Sequence, residues 1–167
     1  SSLVVTAKHG DRKAASAKAE KGIGVITVPE NRWDRVDIKT VGLLPNVLAR
    51  QKAKEHGAAE AWFVDERGMV KEGAATNAWI VTMDGALVTR PAEHGILRGV
   101  TRTTLFDLAA KMKLRIEERE FSVEEAKKAR EAFITAATTL VMPVVSIDGT
   151  PVANGSPGSL SLSLRDA

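Results

Sequence analysis

Between Arg32 and Asp65 the chain reads RWDRVDIKTVGLLPNVLARQKAKEHGAAEAWFVD, an extended segment, a helix and a strand in immediate succession. Leu43, Leu44, Val47 and Leu48 recur at the three and four residue spacing of one helix face, while Arg50, Gln51, Lys54 and Glu55 fall mostly elsewhere. The periodicity predicts an amphipathic helix over about Pro45 to His56, its apolar stripe buried and its end set by Gly57. Glu60 to Val64 follows as a strand. Lys39 stands just before the helix, at an extended end from which a side chain can turn inward toward a pocket.

On either side, short β-branched runs alternate with helical patterns. Leu3 to Thr6 and Ile23 to Val28 read as strands, separated by a basic, Ala-rich segment expected as an exposed loop or short helix. Asp65 to Gly68 turns the chain into Met69 to Glu72. GAATN then breaks regularity before Ala78 to Thr82, and Asp84-Gly85 joins that run to Ala86 to Thr89 as a hairpin. Pro91 to Gly99 is loop, and Leu105, Leu108, Ala109 and Met112 carry helical spacing across Thr101 to Met112. Ile116 to Phe121 reads as a strand, and Ser122 with Glu125 as the capping box of a helix to about Ala129. Ala132 to Thr135 and Val141 to Ile147 are two more strands, and the polar tail ends in a short helix. Helices interleaved with hairpins predict a mixed α/β or α+β domain, a strongly curved sheet flanked by helices. Trp62 and Trp79 fit a core or an interface equally well.

Composition narrows the classes. With 167 residues, 44% of them hydrophobic, the chain supports one domain with a substantial core. It has no cysteine, which removes disulfides and thiolate metal sites. No apolar run approaches membrane-spanning length and no secretory pattern opens the chain, so a soluble, cytoplasmic protein with no membrane partner is expected. The net charge of +3 is accounted for by residues 8–21, where five Lys or Arg meet two Asp or Glu. Aromatic content of 4%, without tyrosine, leaves no stacking platform beside that basic segment, so nucleic acid is not an expected partner. His9, His56 and His94 are scattered without ligand spacing, so no zinc site is expected.

Four features carry chemistry, each with a plainer alternative. Lys39 is one charge in a stretch turning apolar. A lysine buried there has a depressed pKa and forms an imine with an aldehyde; a lysine snorkelling at a strand end does neither. In GILRGVTR, Gly99 permits a tight helix entry and the amides of Val100 and Thr101, with the Thr101 hydroxyl, form a phosphate cradle; the alternative is a Thr-capped surface helix. Glu72 stands where a strand breaks at glycine, placed to hold a protonated heterocyclic nitrogen with Asn77 tying the kinked backbone, or else to sit solvated in a hairpin. Thr135, Thr138 and Thr139 offer hydroxyls to the same cradle, or simply favour extended structure.

Lys39 with LLPNVLARQKAKEHGAAEAWFVD, then EGAATNAWIV, then GILRGVTR, then EAFITAATTLVMPVVSIDG, in that order, resembles the class IV pyridoxal-phosphate aminotransferases. The branch most resembled is that of D-amino-acid aminotransferases, from ENRWDRVDIKT and GILRGVTR. The resemblance implies a pseudo-barrel large domain of curved mixed sheet and pyridoxal 5'-phosphate as cofactor. It implies that Lys39 forms the internal aldimine and shuttles the Cα proton. Glu72 then pairs with the pyridine nitrogen, Leu97 packs on a ring face, and Gly99, Val100 and Thr101 receive the phosphate. Where relatives offer a hydroxyl from the loop matching TAATT, this chain has Ala137, so Thr138 or the amides of Ala136 and Ala137 would have to serve. One uncompensated phosphate hydrogen bond costs about 1–3 kcal/mol of cofactor affinity.

The resemblance further implies ping-pong transamination between a D-amino acid such as D-alanine and a 2-oxo acid such as 2-oxoglutarate. An aminodeoxychorismate-lyase-like eliminase, a branched-chain aminotransferase and a catalytically incomplete assembly domain are the alternatives it leaves. Residues 1–167 match the large domain alone. The family's amino-terminal small domain is absent from this chain, and the strand-like opening reads as a continuation of something longer. Association with such a segment, and a homodimer, are the expected partners.

Overall fold

The computed structural model describes residues 3–7, 10–93 and 95–167. Lys8, His9 and His94, on which the expectations for the basic segment and for scattered histidines partly fell, lie outside the described residues. The elements begin with α1 (Arg12–Lys21), capped by Asp11, and β1 (Ile23–Pro29). Next come α2 (Leu44–Glu55), β2 (Glu60–Val64), β3 (Val70–Gly73), β4 (Asn77–Val81) and β5 (Leu87–Thr89). The second half holds α3 (Val100–Lys111), β6 (Ile116–Glu118), α4 (Val123–Lys127), β7 (Glu131–Ala136) and β8 (Leu140–Ile147). A two-residue β9 (Thr150–Pro151) and α5 (Ser159–Asp166) close the chain.

The strands form one mixed sheet in the order β3-β2-β1-β8-β7-β4-β5-β6, with β9 on β8. β1 runs parallel to both β2 and β8, while β7 is antiparallel to β4 and β8. The sheet curls until its ends meet. Val70 donates its amide to the Phe121 carbonyl, and Met69 bridges Ser122 just beyond β6. Alternation along each strand then buries both faces. Val25, Trp62, Ile80, Val88, Ile134 and Val144 fill one cluster. Trp79, Leu87, Phe133 and Val141 face the opposite way, against Leu105 and Ala109 of α3 and Leu164 of α5. A third cluster joins Ile26, Val28 and Phe63 to Ala49 and Ala53 of α2. Trp62 and Trp79 are therefore core.

Two expectations fail, for related reasons. Leu3 to Thr6 forms no strand, and Leu3, Val4 and Val5 are exposed. β-branched composition suits a pleated surface but does not supply a neighbouring strand. On α2 the stripe expected to be buried, Leu43, Leu44, Val47 and Leu48, is exposed, and Ala49 and Ala53 face the sheet instead. Small residues let the helix approach β1 and β2 closely, and the larger apolar face is left outward. The capping box at α4 is half made: Ser122 accepts from the Glu125 amide, while the Glu125 carboxylate turns to Arg119.

Candidate active site

The break between β3 and β4 is a close-packed loop. The Gly73 amide donates to the Thr76 carbonyl, and a Cβ at Gly73 would overlap the Thr76 hydroxyl, so no larger residue fits. The Ala74 amide pairs with Ala61 of β2, and the Asn46 side-chain amide donates to the Ala74 carbonyl at 2.7 Å, docking the start of α2 there. This brings Glu72, at the end of one edge strand, against Asn77, which opens a strand five places away in the sheet order.

Glu72 is the centre of the arrangement. It is 4% exposed. Its Oε1 accepts from Arg32 Nη1 at 2.6 Å, and its Oε2 accepts from the Asn77 amide and the Leu97 backbone N–H, each at 3.1 Å. An ionised carboxylate has about four lone-pair sites, so about one acceptor position remains. Burial pushes the Glu72 carboxyl up to about 7, against the charge and hydrogen bond of Arg32 and the Leu97 amide, which pull it down.

Asn77 ties the loop before α3 to this carboxylate. Its side-chain amide also donates to the Leu97 carbonyl at 2.8 Å, and its Oδ1 lies where a Cβ on Gly99 would have to go. Gly99 is the extended N-cap of α3 and lends no side chain to the first turn, so the opening amides of Val100 and Thr101 have no side-chain cap. The hydroxyls of Thr103 and Thr104 turn back to the carbonyls of Gly99 and Val100; that of Thr101 makes no such bond among the described residues. Gly99→Ala is expected to lower stability by about 1–3 kcal/mol, as overpacked substitutions do, because the methyl displaces Asn77; thermal unfolding of the purified variant measures it.

The structure thus brings together Glu72, Asn77, Leu97 and Gly99, with Val100 and Thr101 immediately after. Lys39 is exposed, not buried as one of its two readings required, and carries no hydrogen bond or ion pair among the described residues. It does lie on a segment anchored at both ends to the same loop, by Arg32 on Glu72 and by Asn46 on Ala74. Ala137 and Thr138 are exposed in the turn after β7, whose Thr135 is the register partner of Asn77. The Thr135 hydroxyl is buried and accepts from the Trp79 indole at 3.0 Å. Arg32 is not legible as a site residue in the sequence, since its partner Glu72 lies forty positions on. The nearby Glu30, whose carboxylate grips it, is the only local signal.

Sheet, loop and carboxylate together make a curled mixed sheet with a buried acid where one of its strands breaks. The chain belongs to the class IV aminotransferases, whose family model, "Amino-transferase class IV", matches residues 2–147. D-alanine aminotransferase of Bacillus licheniformis is 37% identical over 148 residues, 89% of this chain and 52% of that protein. The Staphylococcus epidermidis enzyme of the same name is 38% identical over 147 residues, covering 87% and 51%. Among solved structures, a branched-chain amino acid aminotransferase of T.th. complexed with N-(5'-phosphopyridoxyl)-L-glutamate superposes with a TM-score of 0.80 at 29% identity, covering 89% and 51%. The chain spans about half the length of the curated relatives it matches.

Proposed function

We propose that residues 1–167 are the cofactor-binding large domain of a pyridoxal-phosphate aminotransferase that moves an amino group between a D-amino acid and a 2-oxo acid. The observation that carries the reading is the junction of Glu72, Asn77, Leu97 and Gly99: a buried carboxylate with a spare acceptor position, joined through one asparagine to a helix start with uncapped amides. That donor and acceptor set fits a ring whose nitrogen is protonated and whose far end carries a phosphate. When bound, pyridoxal phosphate supplies an aldehyde carbon for amine capture and a ring that withdraws electrons from the substrate Cα.

The chain's own residues divide the remaining work. The Lys39 amine would hold the cofactor covalently and, once released by an incoming amine, would accept the Cα proton and return it to the former aldehyde carbon, two atoms away. Glu72 would hold a proton at the ring nitrogen, and Leu97, its backbone bonded on both sides to Glu72 and Asn77, would supply an apolar side chain beside the ring. Val100, Thr101 and the turn at Ala137 and Thr138 offer backbone and hydroxyl donors to the phosphate. D-specificity is favoured by the 37% and 38% identity to D-alanine aminotransferases. The fold likeness to branched-chain enzymes supports a second reading with L-substrates. Incubation of the purified protein with pyridoxal phosphate and D-alanine, then with L-leucine, separates them. Pyruvate released with D-alanine alone supports the first reading, and oxo acid from L-leucine alone overturns it.

The outward stripe of α2 fits assembly with a second copy of the chain. Val41 is 98% exposed and Leu44 68%, and with Leu43, Val47 and Leu48 they make an apolar face beside the segment that carries Lys39. Leu44→Glu with Leu48→Glu is expected to shift the protein from dimer to monomer in sedimentation velocity, leaving helix content unchanged. A wild type that sediments as a monomer refutes the assignment.

A further inference from the structure

Arg32 is held with unusual completeness for a residue in a segment without regular structure. Two residues earlier, Glu30 accepts from its backbone amide at 3.0 Å, from its Nε at 2.9 Å and from its Nη2 at 2.6 Å. The guanidinium also lies over the Phe63 ring, 4.3 Å from the centroid. The Arg32 side chain is 5% exposed and that of Glu72 6%. Three of its nitrogen donors are therefore committed to Glu30, and the remaining Nη1 is aimed at Glu72 Oε1. A planar fork fixed in this way cannot swing away as a lysine would.

We propose that Arg32 is a positioning residue that orients the Glu72 carboxylate and opposes its protonation, so that a proton shared between Glu72 and a ring nitrogen is drawn toward the nitrogen. The proposal rests on the pyridoxal-phosphate reading above. Protonating Glu72 removes the charge that Arg32 faces at 2.6 Å. The cation therefore weighs more heavily against a proton on Glu72 than against one on an atom beyond it. Burial alone favours the neutral acid. Among the described residues the charged groups facing this pair are Glu30, on the far side of Arg32, and Lys71, next to Glu72 on β3 and felt by Glu30. Burial opposes the charge of Glu30, but the hydrogen bonds and charge of Arg32 outweigh it and hold that carboxyl below its ordinary value. Glu30 thus stays ionised as the anchor. Asn77 and Leu97, both neutral donors, orient Glu72, and the Leu97 amide acts with Arg32 in favouring its charged form.

The test has two arms. In protein without cofactor, the Glu72 titration is followed by NMR of carboxyl-labelled glutamate, assigned by Glu72→Gln. Arg32→Met is expected to raise the midpoint by one unit or more, tenfold in proton affinity, and Arg32→Lys to fall between it and wild type. In protein loaded with pyridoxal phosphate, the pH profile of the cofactor absorbance shifts in the same order, and kcat for amino transfer falls more than KM rises. Where Arg32→Met does not fold, Arg32→Gln, which keeps a donor and removes the charge, carries the same expectation in the same direction. A Glu72 midpoint that stays within a few tenths of a unit in the folded variants overturns the proposal. A wild type that takes up no pyridoxal phosphate overturns instead the reading it rests on, and the first arm still reports whether Arg32 governs Glu72.

Discussion

Lys39→Ala is expected to abolish covalent attachment of pyridoxal phosphate and to reduce amino transfer by a factor on the order of 10⁴ or more, as loss of a covalent catalytic group does in enzymes generally. The side chain is exposed and makes no bond among the described residues, so its removal costs the fold almost nothing. Unfolding curves of variant and wild type should therefore superimpose within about 0.5 kcal/mol, as for other surface substitutions. That separation of stability from chemistry makes the variant informative. A surface lysine without a role would leave both measurements untouched. An unchanged rate with D-alanine would remove Lys39 from the mechanism.

Glu72→Gln is expected to slow amino transfer by about 10²–10⁴, the usual span for a positioned acid or base, with the KM for the amino acid little changed. The amide keeps the shape and one acceptor oxygen but cannot hold a proton on a ring nitrogen. Its effect on stability depends on pH, and the sign follows from burial. Glu72 has its carboxyl raised from 4.5 to about 7 in the folded protein, so between those values the folded state keeps a proton that the unfolded chain has released. The stabilising contribution is complete below about pH 4.5 and is lost as pH rises through about 7. Relative to the non-titrating glutamine variant, wild type should lose about 3 kcal/mol across that window, from the size of the shift. Denaturant unfolding of both proteins at pH 4.5 and pH 8 gives the difference directly. A wild type that gains on the variant as pH rises would show that Arg32, not burial, dominates the carboxyl.

Some of this is written plainly in the chain. Ala61 to Val64 is a continuous apolar run between a helix-stopping glycine and a turn aspartate, and the strand takes in those residues with Glu60 before them. The Gly99 helix start, too, is where its spacing puts it, because Leu105 and Ala109 face the sheet. What periodicity cannot supply is the identity of the surface opposite. Leu44, Val47 and Leu48 do share a face, yet Ala49 and Ala53 are the residues that the sheet accepts. The site divides along the same line. Glu72 and Asn77 announce a broken strand by local pattern, and their hydrogen bond closes it. Arg32 becomes visible only once β1 and β2 lie parallel, with Val28 beside Phe63, and the curled sheet carries Glu72 round to meet it. For Thr135, the register that sets it opposite Asn77 also puts its hydroxyl within reach of the Trp79 indole, a pairing that no local pattern announces.

The most direct measurement is peptide mass analysis after the purified protein is incubated with pyridoxal phosphate and reduced with borohydride. If this face of the domain is built to hold the cofactor, one phosphopyridoxyl group appears per chain, confined to the peptide containing Lys39, and prior treatment with D-alanine removes it. Label distributed over the surface lysines of α1 and α2, or none at all, would contradict it.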